Sequence, residues 1–308
     1  MSPSELLVLG RPLPPLLAAN THATVAAWRE GLPTLVPAAL EEWSLSAGDP
    51  YLPGGSASWV APVRDAEGRR LVLKVTMSHD EARDEAAGMT AWQGHGAATV
   101  LRSEERGSTT LLLMEEVRPG TPLAELPDPA AQDEAFAALV TRLHVPAPTG
   151  GPFRPLADMC AWWADEAQER LDRMPGLLPA HLVAQGLRLF RELPREWDGE
   201  PVLLATDLHP HNILRREHGG TGEDGDWVLI DPKPYVGDPH YDLLQYLLNH
   251  EQRLLTDPSG LVRDLARRTG LDTHRARDWM FARCVQEAGE MDSAAEIALR
   301  LAEEEGAG

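Results

Sequence analysis

Residues 203–216 read LLATDLHPHNILRR, and after a polar gap residues 227–242 read WVLIDPKPYVGDPHYD. The apolar run from Val202 to Ala205 leads into Asp207, Ile213 and Leu214 follow Asn212, and Trp227 to Ile230 lead into Asp231. Short apolar runs bounded by Pro, Asp and Asn predict strands, which places all three polar groups at strand ends. A lone Asp-x-x-x-x-Asn says little, because any Asp can cap a turn. The strand context, the second Asp and the Gly237-Asp238-Pro239-x-x-Asp242 tail make the segment informative.

Those residue types suit phosphoryl transfer. The reaction asks little covalent chemistry of a protein; it needs an oxygen acceptor beside the substrate hydroxyl and oxygen ligands for Mg²⁺ on the phosphates. Asp207 is the candidate base or hydroxyl-orienting carboxylate. Asn212 and Asp231 are the candidate Mg²⁺ ligands, since Mg²⁺ takes hard oxygens and keeps only one or two protein groups beside phosphate and water. The order Asp-x-x-x-x-Asn, then Asp, is that of kinase catalytic and metal loops. Zinc on Asp207, His209 and His211 is the competing reading, but Pro210 interrupts the strand and no further ligand recurs at useful spacing.

The segment resembles the catalytic region of aminoglycoside phosphotransferases, and within them the streptomycin 6-phosphotransferase and hydroxyurea phosphotransferase branch. There, D-L-H-x-x-N is followed by D-P-K-P-x-V-G-D-P-x-x-D, as at Asp207 to Asn212 and Asp231 to Asp242. The likeness is close over these forty residues, and weaker but collinear over most of the chain. It implies an α+β, bilobal protein-kinase-like fold, with a small antiparallel sheet lobe ahead of a larger helical lobe. It also implies ATP and Mg²⁺ as cofactors, adenine against the backbone of Glu115 to Val117, and roles for His209, Asp238 and Asp242 in holding the active loop from behind. Ala205-Thr206 depart from the His-Gly of many relatives, putting a β-branched residue at a tight turn.

Earlier in the chain, Ser58 to Val63 and Arg70 to Thr76 predict a hairpin turning at residues 65–68. Ahead of it, Gly54, Gly55 and Ser56 form a turn whose backbone N–H groups suit phosphate oxygens. Lys74 lies in Leu-Val-Leu-Lys-Val, apolar on both faces, where an isolated cation is costly and needs a partner. In the next segment Ala82, Glu85, Ala86, Met89 and Trp92 recur at helical spacing. Glu85 is therefore the expected partner of Lys74, as in kinases, with Glu81 the fallback. Lys74 and Lys233 are the only lysines among 28 basic residues, and both fall beside the proposed phosphate chemistry. Lys233 is open to two readings, a phosphate contact or a salt bridge to Asp207 or Asp238.

A chain of 308 residues suits one bilobal enzyme or two domains, and 43% hydrophobic content is ordinary for a soluble globular protein. The expected lobes are residues 1–117 and 118–308, joined by a hinge at Arg118-Pro119-Gly120. No stretch reaches the length of a membrane span, and Glu5 and the prolines of the opening segment do not fit a signal peptide, so a cytoplasmic monomer is expected. Cys160 and Cys284 fit reduced core thiols. A formal charge of −20 argues against nucleic acid as a partner and is compatible with a cationic small molecule. Helices are expected over residues 23–43, with a break at Pro33 and Pro37, over most of residues 121–200 and from Tyr241 onward, with residues 218–226 a polar hairpin tip.

Only six residues separate Asp231 from Asp238, too few for the segment on which protein kinases dock a polypeptide. The acceptor is therefore expected to be small, in a pocket below Asp207 lined by helices near residues 158–170 and 279–292. Streptomycin carries guanidino groups that carboxylates would pair. Asp165, Glu166, Glu169, Glu287, Glu290 and Asp292 are the candidates, with Trp162 and Trp163 for stacking. Hydroxyurea, neutral and tiny, is the second acceptor considered, beside another small metabolite; a nucleotide-binding regulator without catalysis is the distant alternative.

Overall fold

The computed structural model describes residues 6–78, 83–92, 94–217 and 226–306. At the amino end β1 (Leu7–Val8) pairs with β2 (Arg11–Pro12), followed by α1 (Pro15–Ala19), α2 (Ala23–Arg29) and α3 (Leu32–Glu42). The helical pattern over residues 23–43 breaks at Glu30-Gly31, not at the prolines. Pro33 sits in the first turn of α3, where a missing N–H is harmless, and Pro37 is carried inside the helix by the buried face of Leu32, Val36, Ala39 and Leu40.

An antiparallel sheet follows: β3 (Ser46–Ala47), β4 (Ser58–Arg64), β5 (Arg70–Met77), then α4 (Glu85–Trp92), β6 (Val100–Arg106) and β7 (Thr109–Glu115). Its strand order is β3-β4-β5-β7-β6. Side chains alternate across a strand, so Leu71, Leu73 and Val75 of β5 face one way and pack with Leu17, Val25, Leu32 and Val36 of the N-terminal helices. Val72, Lys74 and Thr76 face the other way, and Val72 joins Met89, Trp92 and Met114 in the larger core. Because β5 is covered on both sides, its sequence shows no polar alternation. The hairpin β4–β5 lies where the sequence places it. β6 is unanticipated, since VLRSEER at the sheet edge has no fully buried residue to mark it as a strand.

The second lobe contains β8 (Pro119–Pro122), α5 (Pro129–Leu143), β9 (Arg154–Pro155), α6 (Leu156–Asp172) and α7 (Ala180–Glu192). Next come β10 (Val202–Leu204), β11 (Ile213–Arg216), β12 (Asp226–Leu229) and β13 (Tyr235–Gly237). The chain ends in α8 (Asp242–Leu248), α9 (Glu251–Thr256), α10 (Pro258–Thr269), α11 (Thr273–Glu287) and α12 (Ala294–Gly306). The expected hinge is paired backbone: Pro122 lies opposite Leu214 and Pro119 opposite Arg216, which makes β8 the third strand of the β11–β12 sheet. Of the predicted hairpin tip, residues 218–225 lie outside the described residues. Both cysteines are buried, and burial pushes each thiol up, away from thiolate.

Asp238, fully buried just after β13, ties the β10–β13 sheet to α11. Its Oδ1 accepts from the backbone N of His240 at 3.1 Å and from His240 Nδ1 at 2.6 Å. Its Oδ2 accepts from Arg275 Nε and Trp279 Nε1 of α11, both at 2.6 Å. Burial works against its charge, but the His240 contacts, Trp279 and Arg275 outweigh this and hold the carboxyl below its ordinary value of 3.8. The stabilisation from this lowered value is complete above that range and is lost as the pH falls through it. Asp238→Asn strips the charge while Arg275 stays in place, and should cost about 3–5 kcal/mol at pH 7, read by urea denaturation. A loss below about 1 kcal/mol would show that Asp238 does not hold the two parts together.

Candidate active site

The inner face of β5 places Lys74 against α4, with its side chain only 6% exposed. Nζ donates to Glu85 Oε1 at 2.8 Å and Oε2 at 2.7 Å, and to Asp231 Oδ1 at 2.7 Å. An ammonium has three hydrogens, and here each has a carboxylate oxygen. The Glu85 partnership is the one the helical spacing anticipated; Glu81 lies outside the described residues. The Asp231 contact spans 157 positions and has no local signal in the sequence. Burial pushes Glu85 up to about 7, with the charge of Asp231 acting the same way against the pull of Lys74. Asp231 itself is held below the carboxylate range: burial opposes its charge, but Lys74 prevails.

Two contacts set the position of α4. A Cβ on Gly88 would lie 2.3 Å from Pro234 Cγ, so the absence of a side chain lets the helix press on the loop that follows Asp231. One turn on, the fully buried Trp92 donates from Nε1 to the carbonyl of Leu143, at the end of α5, at 2.8 Å. The helix that carries Glu85 is thereby anchored to the second lobe.

The loops around Asp207 and Asp231 are cross-tied. Asp242 Oδ1 accepts from Thr206 N at 2.8 Å, and its Oδ2 accepts from Ala205 N and approaches His144 Nε2, both at 3.2 Å. Thr206 and Asp231 both adopt φ of +53°, a left-handed conformation rare outside glycine. The Thr206 hydroxyl donates to the Lys233 carbonyl at 2.5 Å, and Lys233 N donates to the Ala205 carbonyl at 2.9 Å. Lys233 Nζ lies 3.3 Å from Asp207 Oδ2, whereas Asp238 is committed to Arg275. Asn212 donates from Nδ2 to the Asp207 carbonyl at 3.3 Å, and its own carbonyl accepts from Ile230 N at 2.8 Å. His209 Nδ1 accepts from His211 N at 3.3 Å, which assigns its proton to Nε2. Burial pushes the His209 imidazole below its usual range despite the nearby Asp207.

A cleft of about 700 Å³ opens between the lobes beside these loops. Gly54 and Gly55 line it on the loop before β4, Ser58, Val60 and Val72 on the sheet, and Leu214 and Ile230 on the second lobe. Met114, Glu115 and Val117 edge it where the chain passes between lobes, and Lys74, Glu85, Asn212 and Asp231 stand along one part of its lining. Ser56 is not in that lining: it is exposed, and Ser58, two residues on, takes the place predicted for it. The oxygens of Asn212 and Asp231 beside this space form a hard donor pair suited to Mg²⁺ completed by phosphate and water.

The aminoglycoside/hydroxyurea antibiotic resistance kinase family model matches residues 42–294. This chain belongs to that family. Streptomycin 6-kinase of Streptomyces glaucescens is 32% identical over 298 residues, covering 94% of this chain and 92% of the relative. Hydroxyurea phosphotransferase of Kitasatospora aureofaciens is 34% identical, covering 83% and 72%. The fold is that of aminoglycoside phosphotransferase APH(3'')-Id of Streptomyces rimosus, solved with ADP and streptomycin: TM-score 0.55, 19% identity, 86% of this chain and 99% of that one. The bilobal kinase-like architecture is therefore as the sequence implied.

In this resistance kinase the helices expected to face an acceptor are joined through arginines. Arg170 of α6 donates to the Ala288 carbonyl at 3.1 Å, to the Gln286 carbonyl, and to Glu290 at 2.5 Å. Asp165 pairs with Arg191 of α7 at 2.8 Å, whereas Glu287 pairs with Arg283 at 2.7 Å within α11. Glu166, Glu169 and Asp292 are exposed. The expected guanidinium stacking occurs internally, with Arg283 4.7 Å over Trp163, whereas Trp162 is 57% exposed. Sequence reasoning missed Gly88, Trp92 and His144, and only the Trp92 stripe position carried a signal.

Gly88→Ala adds a methyl against a proline ring that cannot rotate away. Overpacking of this kind costs about 1–3 kcal/mol, expected as a lower melting temperature together with weaker ATP binding as α4 carries Glu85 outward. A variant with unchanged melting and unchanged affinity would show that α4 is not pressed on the loop.

Proposed function

We propose that this protein is an ATP-dependent O-phosphotransferase that moves the γ-phosphate to a hydroxyl of an aminoglycoside of streptomycin type. The observation that carries the reading is the Lys74 ammonium held by Glu85 and Asp231 in one cleft with Asn212. A binding-only relic has little chemical need for all four together with Asp207. The family, and relatives named for streptomycin and hydroxyurea, support a small acceptor, as does the short passage from Asp231 to Asp238. Residues 1–117 and 118–308 act as the two lobes in this reading, in a cytoplasmic monomer. Among the described residues, no helix is long and apolar enough to cross a membrane.

The roles follow from position. Lys74 directs its charge to the α- and β-phosphates, and Glu85 keeps it aimed. An arriving phosphate oxygen competes with Asp231 for Lys74. Asn212 and Asp231 hold Mg²⁺, which when bound neutralises phosphate charge. The apolar faces of Val60, Val72, Leu214 and Ile230 enclose adenine, with the backbone of Glu115 to Val117 at its edge. Gly54 and Gly55 lie over the phosphates. Asp207 accepts the hydrogen of the acceptor hydroxyl while that oxygen forms a bond to the γ-phosphorus and the bond to the β-phosphate oxygen breaks, releasing ADP. Lys233, beside Asp207 Oδ2, orients the carboxylate. His209, Asp238 and Asp242 support this loop from behind. Glu166, Glu169 and Asp292 are the acids best placed for a cationic acceptor, because Asp165, Glu287 and Glu290 already pair with arginines.

The test is ADP release with streptomycin, other aminoglycosides and hydroxyurea in turn. Streptomycin is expected to give turnover; release with hydroxyurea alone would shift the acceptor, and release with none would return weight to a regulatory nucleotide-binding protein. Asp207→Ala is expected to lower turnover by about 10²- to 10⁴-fold with ATP affinity near wild type. Unchanged turnover would remove Asp207 from the base role.

A further inference from the structure

The loop that carries Gly54 and Gly55 is held from outside the cleft, by residues ahead of the segment the family model matches. Leu16 N donates to the Pro53 carbonyl at 3.2 Å. Asn20 Nδ2 donates to the Ser56 carbonyl at 3.0 Å. Between these two bonds, a Cβ on Gly54 would lie 2.4 Å from Pro14 Cβ, so the loop rests directly on the N-terminal chain. Gly54 has φ of +82°, which gives a second reason for glycine there.

The holding segment is itself secured. Arg29 of α2 donates from Nη1 to the carbonyls of Leu17, Ala18 and Asn20 at 2.9, 2.7 and 2.9 Å. These are carbonyls at and beyond the end of α1, which the short helix leaves without partners of its own. Asn20 Oδ1 accepts from His22 N at 2.9 Å, which fixes the amide so that Nδ2 points at Ser56. Leu17 is fully buried in the core above the sheet, and Trp28 Nε1 of α2 bonds Thr109 Oγ1 of β7 at 2.8 Å. The line of contacts thus runs from the sheet through α2, Arg29 and Asn20 to the loop at the cleft.

We propose that Pro14 to Arg29 is a brace that positions the Gly54–Gly55 loop for nucleotide, with Asn20 the positioning residue through which it acts. The inference rests on the cleft being the ATP site. In many loops of this composition the backbone must be ordered when phosphate binds, at an entropic cost. Here the ordering precedes binding, so losing the brace weakens nucleotide and leaves the chemical step alone.

Asn20→Asp separates the two functions of the amide: it keeps an acceptor for His22 N but offers no hydrogen to Ser56. Asn20 is part-buried near the surface, so the variant is expected to fold. Hydrogen–deuterium exchange over residues 53–58 of the ligand-free full chain should quicken in Asn20→Asp. KM for ATP should rise about fivefold, with kcat and KM for the acceptor unchanged. Arg29→Met, which keeps the stem and loses the guanidinium, should move the same two readouts the same way. Unaltered exchange in both variants overturns the brace, and faster exchange with unchanged KM for ATP overturns its role in positioning nucleotide. A wild-type protein that binds no ATP defeats the underlying reading separately, since exchange in the free chain does not depend on it.

Discussion

A lysine ammonium taken out of water is stable only where its hydrogens meet oxygens, and Lys74 meets this condition with side chains from two other parts of the chain. Glu85 arrives on α4 and Asp231 on the loop after β12, so the cation joins the sheet, its helix and the second lobe at one point. Burial pushes Glu85 up, and the charge of Asp231 on the shared cation adds to it, while Lys74 keeps Asp231 charged. Much of the geometry nearby serves this arrangement. Gly88 lets α4 approach Pro234, and Trp92 fixes its far end to Leu143.

The loops that face this cation use backbone conformations costly for their residues. Thr206 and Asp231 each sit in the left-handed region, a strain of about 1–3 kcal/mol per residue. Buried carboxylates supply the compensation: Asp242 receives the backbone N–H groups of Ala205 and Thr206, and Asp238 anchors the following turn to α11. The Thr206 hydroxyl adds a bond to the Lys233 carbonyl that glycine would lack. A departure from the His-Gly pattern of the resembling branch thus has a local physical role.

Acidity and arginine usage divide the remaining surface. The helices expected to line the acceptor pocket carry many acids, yet three of those singled out already pair with Arg170, Arg191 and Arg283. The pairs Arg170–Glu290 and Asp165–Arg191 lock α6 to its neighbours, Arg283–Glu287 lies within α11, and together they leave a smaller set of carboxylates open to a cationic molecule. Charge on a helix face is thus a poor guide to recognition until its partners are known.

Local pattern was enough to place Asp207, Asn212 and Asp231 at strand ends, to set the β4–β5 hairpin, and to pair Lys74 with Glu85. Each depends on spacing within a strand, a helix or one crossing between them, and on a buried charge needing a partner. β6 escaped because an exposed edge has no buried face to print a period, and Pro37 misled because packing of α3 outweighed a local preference. The Lys74–Asp231 contact, the Gly88–Pro234 approach and the hold of Asn20 on Ser56 join residues 36 to 157 positions apart. Composition and periodicity report what a segment buries, not what it is buried against. That second fact is settled only when the whole chain closes, and tertiary packing decided it here.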